Sequence, residues 1–450
     1  METLFISLIF VLPIKQIEIK GINPFLEKKC REILNKFENL EANKENLDKL
    51  TEELSLFFLK EGYPNARIRF TGFEEYESGL KIFINVSDLN YFIINDIIFD
   101  KNIKTKKKIF LHFFNLINKP FKIQDFEKGK EKLKRFGYIN VRNFELRKFG
   151  GLNYLYLDIH ERPSNSFESF LLYDNKRKTF AGKIETEINN IFGDLRSFFL
   201  RWEKFSEGKA DFEVKYEEPF IFNFDISISP HYNLFQRDSL YIKENLGLKI
   251  SYFFERVKFS LIYDYFEEIP FLKTSRFISS SGSEIVIGEK GFLPSNIYFF
   301  SLRGVLLKGK GVSHKAITDL MLMKNFMRYF YSSFEIYSGF LNFLKDTIIS
   351  EYFFLGGSKY PRGYREEEFI AKLFFTLVLE NYINFKNFSL FIFYDYSKMK
   401  LISEEYINKI GYGFGFIGLE FNTYFKISFA IPYKENLHST KVHFFIKNYF

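Results

Sequence analysis

The chain has 450 residues, 46% of them hydrophobic, with a net charge of +8 and one cysteine, Cys30. A single cysteine excludes an internal disulfide framework and a cysteine-based zinc site, and the modest, dispersed charge forms no nucleic-acid patch. Mean hydropathy is −0.15 and no apolar run approaches the ~20 residues of a spanning helix, yet 62 Phe and 28 Tyr bring the aromatic content to 20%. Abundant aromatics with polar alternation suggest a transmembrane β-barrel, whose signal is period-two alternation rather than hydropathy. A soluble β protein from an AT-rich genome, which inflates Phe, Ile, Lys and Asn, is the alternative.

Residues 1–13 contain an apolar run of signal-peptide length, without a basic n-region or a small-residue cleavage site. They are expected to be a secretory signal. Two copies of a small α+β unit follow, over 14–88 and 89–162. In the first, a strand at 14–20 ends at Gly21, and Asn23-Pro24 reads as an N-cap and first helical residue. A second helix from about Asn43 carries Leu47, Leu50, Leu54, Phe57 and Phe58 on one face and stops at Gly62. Strands at 67–71 and 80–86 complete a β-α-α-β-β order. The second copy is expected as strand 92–99, helices 104–117 and 125–136, then strands 141–147 and 154–159. The helix stops align, Gly62-Tyr63 against Gly137-Tyr138, at an offset of 75 residues (137 − 62). A repeat of supersecondary size means a small tandem array.

Beyond a linker at 162–166, helical periodicity largely stops and strand-length segments follow, a region expected to be barrel over 167–450. Over 421–431 the odd positions are Phe, Thr, Phe, Ile, Phe and Ile, with Asn, Tyr, Lys, Ser and Ala between them. One face suits lipid and the other a wet interior. Phe212, Val214 and Tyr216 against Glu213, Lys215 and Glu217 repeat the arrangement. Strand boundaries in 265–350 are ambiguous. Nearer the C-terminus the strands read as 369–385, 388–396, 410–420, 421–431 and 441–450. Between them, tight connections alternate with long ones at 397–409 and 432–440.

The stretch 354–365 is too rich in Gly and Pro to be strand. Gly356, Gly357 and Gly363 permit positive φ, Pro361 biases Tyr360 toward extended geometry, and Arg362 lies near the tip. The Pro361-Arg362-Gly363-Tyr364 core resembles the Arg-Gly-aromatic loop of the BamA/TamA superfamily of POTRA-bearing outer-membrane assembly and translocation barrels. Other segments resemble the same family. They include the β-α-α-β-β units with Gly-Tyr after the second helix, Asn189 to Gly193, Tyr216 to Pro219, and Phe393 to Ser397, with Ser397 where the family has Gly. The C-terminal strand resembles an outer-membrane targeting signal, with Phe444, Ile446 and Phe450 on one face and Asn448 as a departure.

The resemblance implies tandem POTRA domains before an antiparallel transmembrane barrel of sixteen strands. It places the barrel in the bacterial outer membrane and the POTRA units in the periplasm. It also implies that the loop folds into the lumen and that its arginine, Arg362, meets an acidic residue of the wall, matched here by Asp395. The residues themselves point to the same neighbourhood. A two-residue turn at Lys386-Asn387 pairs 380 with 393 and 378 with 395, making Glu380 and Asp395 diagonal neighbours on the inner wall. Lys372, Thr376 and Tyr382 share that face on one strand, and Ser389, Phe391 and Phe393 on the other. Two close carboxylates favour a cation between them; solvated charges are the ordinary alternative for an Arg and an Asp 33 residues apart.

No catalytic constellation, metal cluster or cofactor motif appears. Gly411, Gly413 and Gly415 have the wrong spacing for a nucleotide loop, and three glycines on one strand face make room for an inserted loop or for curvature. The expected function is non-enzymatic: an assembly factor that receives unfolded outer-membrane or secreted client proteins and inserts or translocates them. Outer-membrane lipid and accessory proteins are the further partners. A two-partner-secretion transporter is the alternative, ranked second because a strand beginning by residue 14 leaves no room for a plug helix. A passive porin is disfavoured by the paired α+β units.

Overall fold

The computed structural model describes residues 12–450 apart from 101, 175–178, 207, 222–223, 238–239, 255–256, 271–273, 289–295, 310, 344–347, 358–359, 387 and 421. Most of the expected signal segment, Asn387 of the tight turn and Phe421 therefore lie outside the described residues. The chain divides into two compact units, 1–161 and 162–450.

In the first unit, β1 (Ile14–Lys20), α1 (Pro24–Phe37), α2 (Lys44–Glu61), β2 (Arg67–Tyr76) and β3 (Gly79–Ser87) form one module. Its sheet has the order β1-β3-β2, with β1 parallel to β3. The helices begin where the sequence supplies a cap. The Asn23 side chain accepts from Leu26 N–H and the Asn43 side chain from Asn46 N–H, both at 2.9 Å, which satisfies donors the first turn leaves orphaned. Helix α2 stops because Gly62 takes φ +98°, open to glycine at little cost. Leu34, Leu50, Leu54 and Phe58 from the helices meet Ile14, Ile17 and Ile82 from the sheet in the core, where Cys30 is fully buried.

The second module repeats the order with β4 (Asp96–Phe99), α3 (Lys107–Phe114), α4 (Ile123–Lys134), β5 (Ile139–Phe149) and β6 (Leu152–Glu161), sheet order β4-β6-β5. Two elements are shorter than the periodicity suggests. The strand expected from 92 starts at Asp96, because Phe92 and Ile94 turn aside to bond the segment from Asn118 to Phe121. The helix expected over 104–117 starts later because Glu161 accepts the Lys104 and Thr105 amides.

The second unit is a closed antiparallel barrel. Its strands are β7 (Ser166–Asp174), β8 (Thr179–Ile191), β9 (Arg196–Ser206), β10 (Lys209–Glu217), β11 (Ile226–Arg237), β12 (Tyr241–Phe254), β13 (Val257–Pro270) and β14 (Arg276–Ile287). They continue with β15 (Ile297–Lys308), β16 (Val312–Met327), β17 (Phe330–Phe343), the three-residue β18 (Phe353–Leu355), β19 (Phe369–Asn384), β20 (Phe388–Leu401), β21 (Tyr406–Glu420), β22 (Thr423–Pro432) and β23 (Lys441–Tyr449). β17 pairs directly with β19, so β18 is an addition and sixteen strands close the wall. The region 265–350, unreadable from sequence, is filled by β13 to β17.

Alternation decides which way each strand faces. On β13, Leu261, Tyr263 and Tyr265 point out while Ser260, Ile262, Asp264 and Phe266 are buried inside. The interior carries a polar network and also an apolar cluster of Phe266, Leu341, Tyr352, Phe353, Phe369, Phe374 and Met399. The connection expected over 397–409 is corrected to a short turn. β20 and β21 run on past it, pairing Asp395 with Gly411 and Lys400 with Tyr406, because alternation persists through Ser397 and Met399.

The ends of the barrel differ. The chain enters at Arg162 and finishes at Phe450 on one rim, the near rim, where Phe450 N–H donates to the Asn165 carbonyl at 2.8 Å. The segment between β17 and β19, described over 348–357 and 360–368, belongs to the opposite, far rim, where β17 ends and β19 begins. The seam between first and last strands is short. Among the described residues β7 and β23 pair only as Phe167 with Asn448 and Ser166 with Tyr449, whereas β22 and β23 pair from Thr423 through Ala430.

Candidate functional site: a loop arginine in the barrel lumen

The site is built where β19 and β20 face the lumen. Glu380 is opposite Phe393 and Val378 opposite Asp395, the register continued from Asn384 opposite Ser389 and the bond from Phe385 N–H to the Phe388 carbonyl. Thr376, Glu380 and Tyr382 on β19 and Ser389, Phe391, Phe393 and Asp395 on β20 are all buried on the inner face. Lys372 departs from the expected lumen set. A register shift between Ala371 and Leu373 breaks the alternation there, and the Lys372 ammonium pairs with Glu404 of the short turn after β20.

The glycine-rich loop turns into this wall. Gly356, Gly357 and Gly363 have φ of +110°, +69° and +95°, and Gly363 lies so close to Pro432 that a Cβ would meet its nitrogen at 2.9 Å. Tyr360 is not extended as its position before Pro361 suggests. It has φ +57°, and its carbonyl accepts the Gly356 N–H at 3.0 Å, which closes the loop on itself. Pro361 and Gly363 are buried, and the Tyr364 hydroxyl donates to the Ile410 carbonyl at 3.1 Å.

Arg362 is thereby delivered to both carboxylates. Its Nε and Nη2 donate to Asp395 Oδ2 and Oδ1 at 2.8 and 2.6 Å, a bidentate fork. Its backbone N–H donates to Asp395 Oδ2 at 2.9 Å, and Nη1 reaches Glu380 Oε1 at 2.5 Å. The guanidinium lies 3.6 Å from the centroid of the Phe393 ring, a cation–π contact. Arg362 is 4% exposed and Asp395 fully buried, so the pair is far drier than a surface bridge. The Tyr382 hydroxyl donates to Glu380, and Lys426 approaches it at 3.4 Å.

Gly411 makes room for the loop, as the glycine run suggests: a Cβ there would sit 1.9 Å from the Arg362 carbonyl oxygen. Gly413 and Gly415 instead accommodate the Phe393 and Phe391 rings and the neighbouring strand. Phe444, Ile446 and Phe450 face outward on the last strand, away from this cluster.

Sequence reasoning missed a second set of loop anchors. Arg237, the last residue of β11, donates to Asp211 of β10 and, at 3.1 Å, to Glu367 just beyond the glycine stretch. Glu351, in the turn Ile349–Glu351, pairs with Lys243 of β12 and, at 2.9 Å, with Lys315 of β16. Ser350 N–H donates to Glu268 at 2.7 Å. These partners are up to 130 residues apart, so no local spacing reveals them. The only hint is the acidic run Glu366 to Glu368 beside the loop.

No family model matches the sequence and no curated protein matches it. Among solved structures the chain is similar to BamA from Haemophilus ducreyi lacking POTRA domains 1–3. The TM-score is 0.62 at 13% identity, covering 97% of this chain and 99% of that one. It is similar to CdiB from Escherichia coli, with a TM-score of 0.59 at 15% identity over 98% of this chain and 90% of that one. It is also similar to CdiB from Acinetobacter baumannii, with a TM-score of 0.57 at 13% identity over the same shares. The fold of this chain is therefore that of the BamA and CdiB barrels.

Proposed function

We propose that this chain is an outer-membrane protein of the BamA/TamA superfamily that receives unfolded client proteins and inserts or translocates them at its barrel. The two β-α-α-β-β modules are read as POTRA domains held in the periplasm. A BamA structure lacking POTRA domains 1–3 aligns over 97% of this chain and 99% of its own, which supports that reading. No catalytic step is assigned to any residue. Client polypeptides, surrounding lipid and accessory proteins are the partners.

The seam carries the proposal. Two facing strands of nine residues each are joined by two residue pairs among the described residues, leaving strand edges free. A free edge presents unpaired N–H and C=O groups, a template on which an incoming strand can form. The alternative, a secretion transporter, is favoured by the two CdiB structures that align over 98% of this chain. It requires a route through the lumen, where Tyr352, Phe353 and Leu355 of the loop segment pack against Phe266, Leu341 and Phe374 of the wall. On that reading the loop segment leaves the lumen during transport.

Locking the seam separates the two readings. Cysteines at Ser169 and Ile446 continue the register of Phe167 with Asn448 and should lock it when oxidised. Assembly predicts that the locked protein, inserted and heat-modifiable on gels, loses client insertion and recovers it on reduction. Full activity of the locked barrel supports lumen transport instead. Recovery of the whole chain as a soluble monomer would sink both.

A further inference from the structure

Arg362 is clamped on β19 and β20, whereas Glu367 is clamped by Arg237 on β11, itself paired to Asp211 on β10. In the closed order of the wall, with the added β18 left aside, β11 and β20 are eight strands apart by either route, as are β10 and β19. They are opposite sides of the barrel. The described parts of the segment, 348–357 and 360–368, thus run from one wall to the other. The polarity inverts between the ends, a loop cation in wall acids at one and loop acids in wall cations at the other. Glu351 adds a third anchor between β12 and β16.

The space between the anchors is packed. Ile348, Tyr352, Phe353 and Leu355 of the segment are buried against Phe266, Leu341 and Phe374 of the wall. Gly339 on β17 keeps Phe353 and Phe374 so close that a Cβ would meet their rings at 2.6 and 2.4 Å. A packed interior resists compression, and the ion pairs pin each end to its wall, so that the segment cannot slip aside when the walls are pressed together. A segment with both properties fixes the distance between the walls it joins.

The seam lies within the arc those walls bound, β20 through β23 and β7 through β10. The outer anchors sit toward the far rim, since Arg237 ends β11 and Lys243 is the third residue of β12. Among the described residues, that is the half in which β7 and β23 show no pairing, while they pair at the near rim. We propose that the segment is a cross-brace which props the barrel open beside the seam. On this view Glu367 and Glu351 are positioning residues that hold β7 and β23 from zipping. The inference rests on the seam reading above and adds to it a residue-level control of how far the seam stands open.

The test uses the full-length protein with cysteines at Ser169 and Ile446, copper phenanthroline as oxidant, and the half-time of cross-linking as the readout. Glu367→Gln frees one anchor and leaves Arg237 paired with Asp211. It should shorten the half-time at least fivefold while the barrel stays heat-modifiable. Glu351→Gln, which weakens the third anchor and leaves the Lys315 bond to its carbonyl, should act in the same direction. Glu368→Gln is the control, because its carboxylate bonds only the nearby Arg365 N–H, at 2.8 Å, in the described contacts. Half-times within twofold of the parent in both folded variants would overturn the proposal. Slower cross-linking would overturn it too, since the segment would then be pulling the walls together. The readout is cross-linking and not client insertion, so its failure leaves the assembly proposal to its own experiment.

Discussion

Replacing Arg362 with Ala removes the Nε and Nη2 bonds to Asp395 and the Nη1 bond to Glu380, and leaves the backbone N–H on Asp395. Breaking one partner of a buried pair costs ~3–5 kcal/mol, where a surface bridge is worth ~0–1. With both groups at most 4% exposed, the buried limit applies. Glu380 keeps Lys426 and Tyr382 and Asp395 keeps one amide, which sets the expected cost at the lower end, about 3 kcal/mol. At ~1.4 kcal/mol per tenfold, the loop should open on the order of a hundred times more often. Protease cleavage of the loop in the folded, heat-modifiable barrel reads that population when reclosing outpaces cleavage. Asp395→Ala should cost as much or more, because the backbone bond is lost as well. The double variant should fall short of the sum by roughly 0.5–3 kcal/mol, as groups in direct contact do. Arg362→Lys should recover only part of the protection, since an ammonium cannot span both carboxylate oxygens and stack on Phe393. Strict additivity of the two alanine variants would refute the reasoning.

Two further outcomes follow from the packing. Gly411→Ala should expose the loop to protease much as Arg362→Ala does, because its Cβ would overlap the Arg362 carbonyl and overpacking costs ~1–3 kcal/mol. Gly304→Ala, with nothing within 4 Å, should leave cleavage unchanged, and a Gly411→Ala loop as resistant as the parent contradicts the close approach. Burial pushes the Cys30 thiol up to about 12, so the neutral thiol should dominate well above the usual ~8.5. Maleimide labelling followed by mass should be negligible at pH 8 in the native protein and complete once denaturant opens the first module; rapid native labelling would show the core is not closed.

Much of the site was legible because two strong local signals coincide. Alternation over 388–396 fixes which residues face inward, and the tight turn fixes the register, so these two patterns alone bring Glu380 and Asp395 together. The glycines then say where a backbone can come close, and Gly411 does receive Arg362. The errors come where a local rule is interrupted or a distant contact decides. One shifted residue near Ala371 takes Lys372 off the inner face, a change no composition signals. The polar residues over 397–409 suggest a loop, but in a barrel with a wet interior such residues belong to strand as readily as to turn. Arg237, Lys243 and Lys315 look like ordinary charges in alternating strands, and only the closed wall brings them to the loop. The same applies to helix α3, whose start is displaced by a carboxylate more than 50 residues away.

The two α+β modules meet through Tyr63, which follows the glycine that ends α2, and Tyr91 of the connection to the second sheet. Their rings stack at 4.7 Å and 21°, and Tyr63 donates its hydroxyl to that of Tyr91 at 3.0 Å. The Tyr91 ring also covers Gly62, against which a Cβ would stand at 3.4 Å. A joint made this way resists both bending and twisting, because sliding the rings breaks the hydrogen bond and tilting them loses the stack. The smallest piece that can be cut out and transplanted into another protein with its geometry intact is therefore the pair. A chimera joined between residues 63 and 91 would have to rebuild half of each tyrosine's surroundings, whereas one joined ahead of residue 14 would disturb neither.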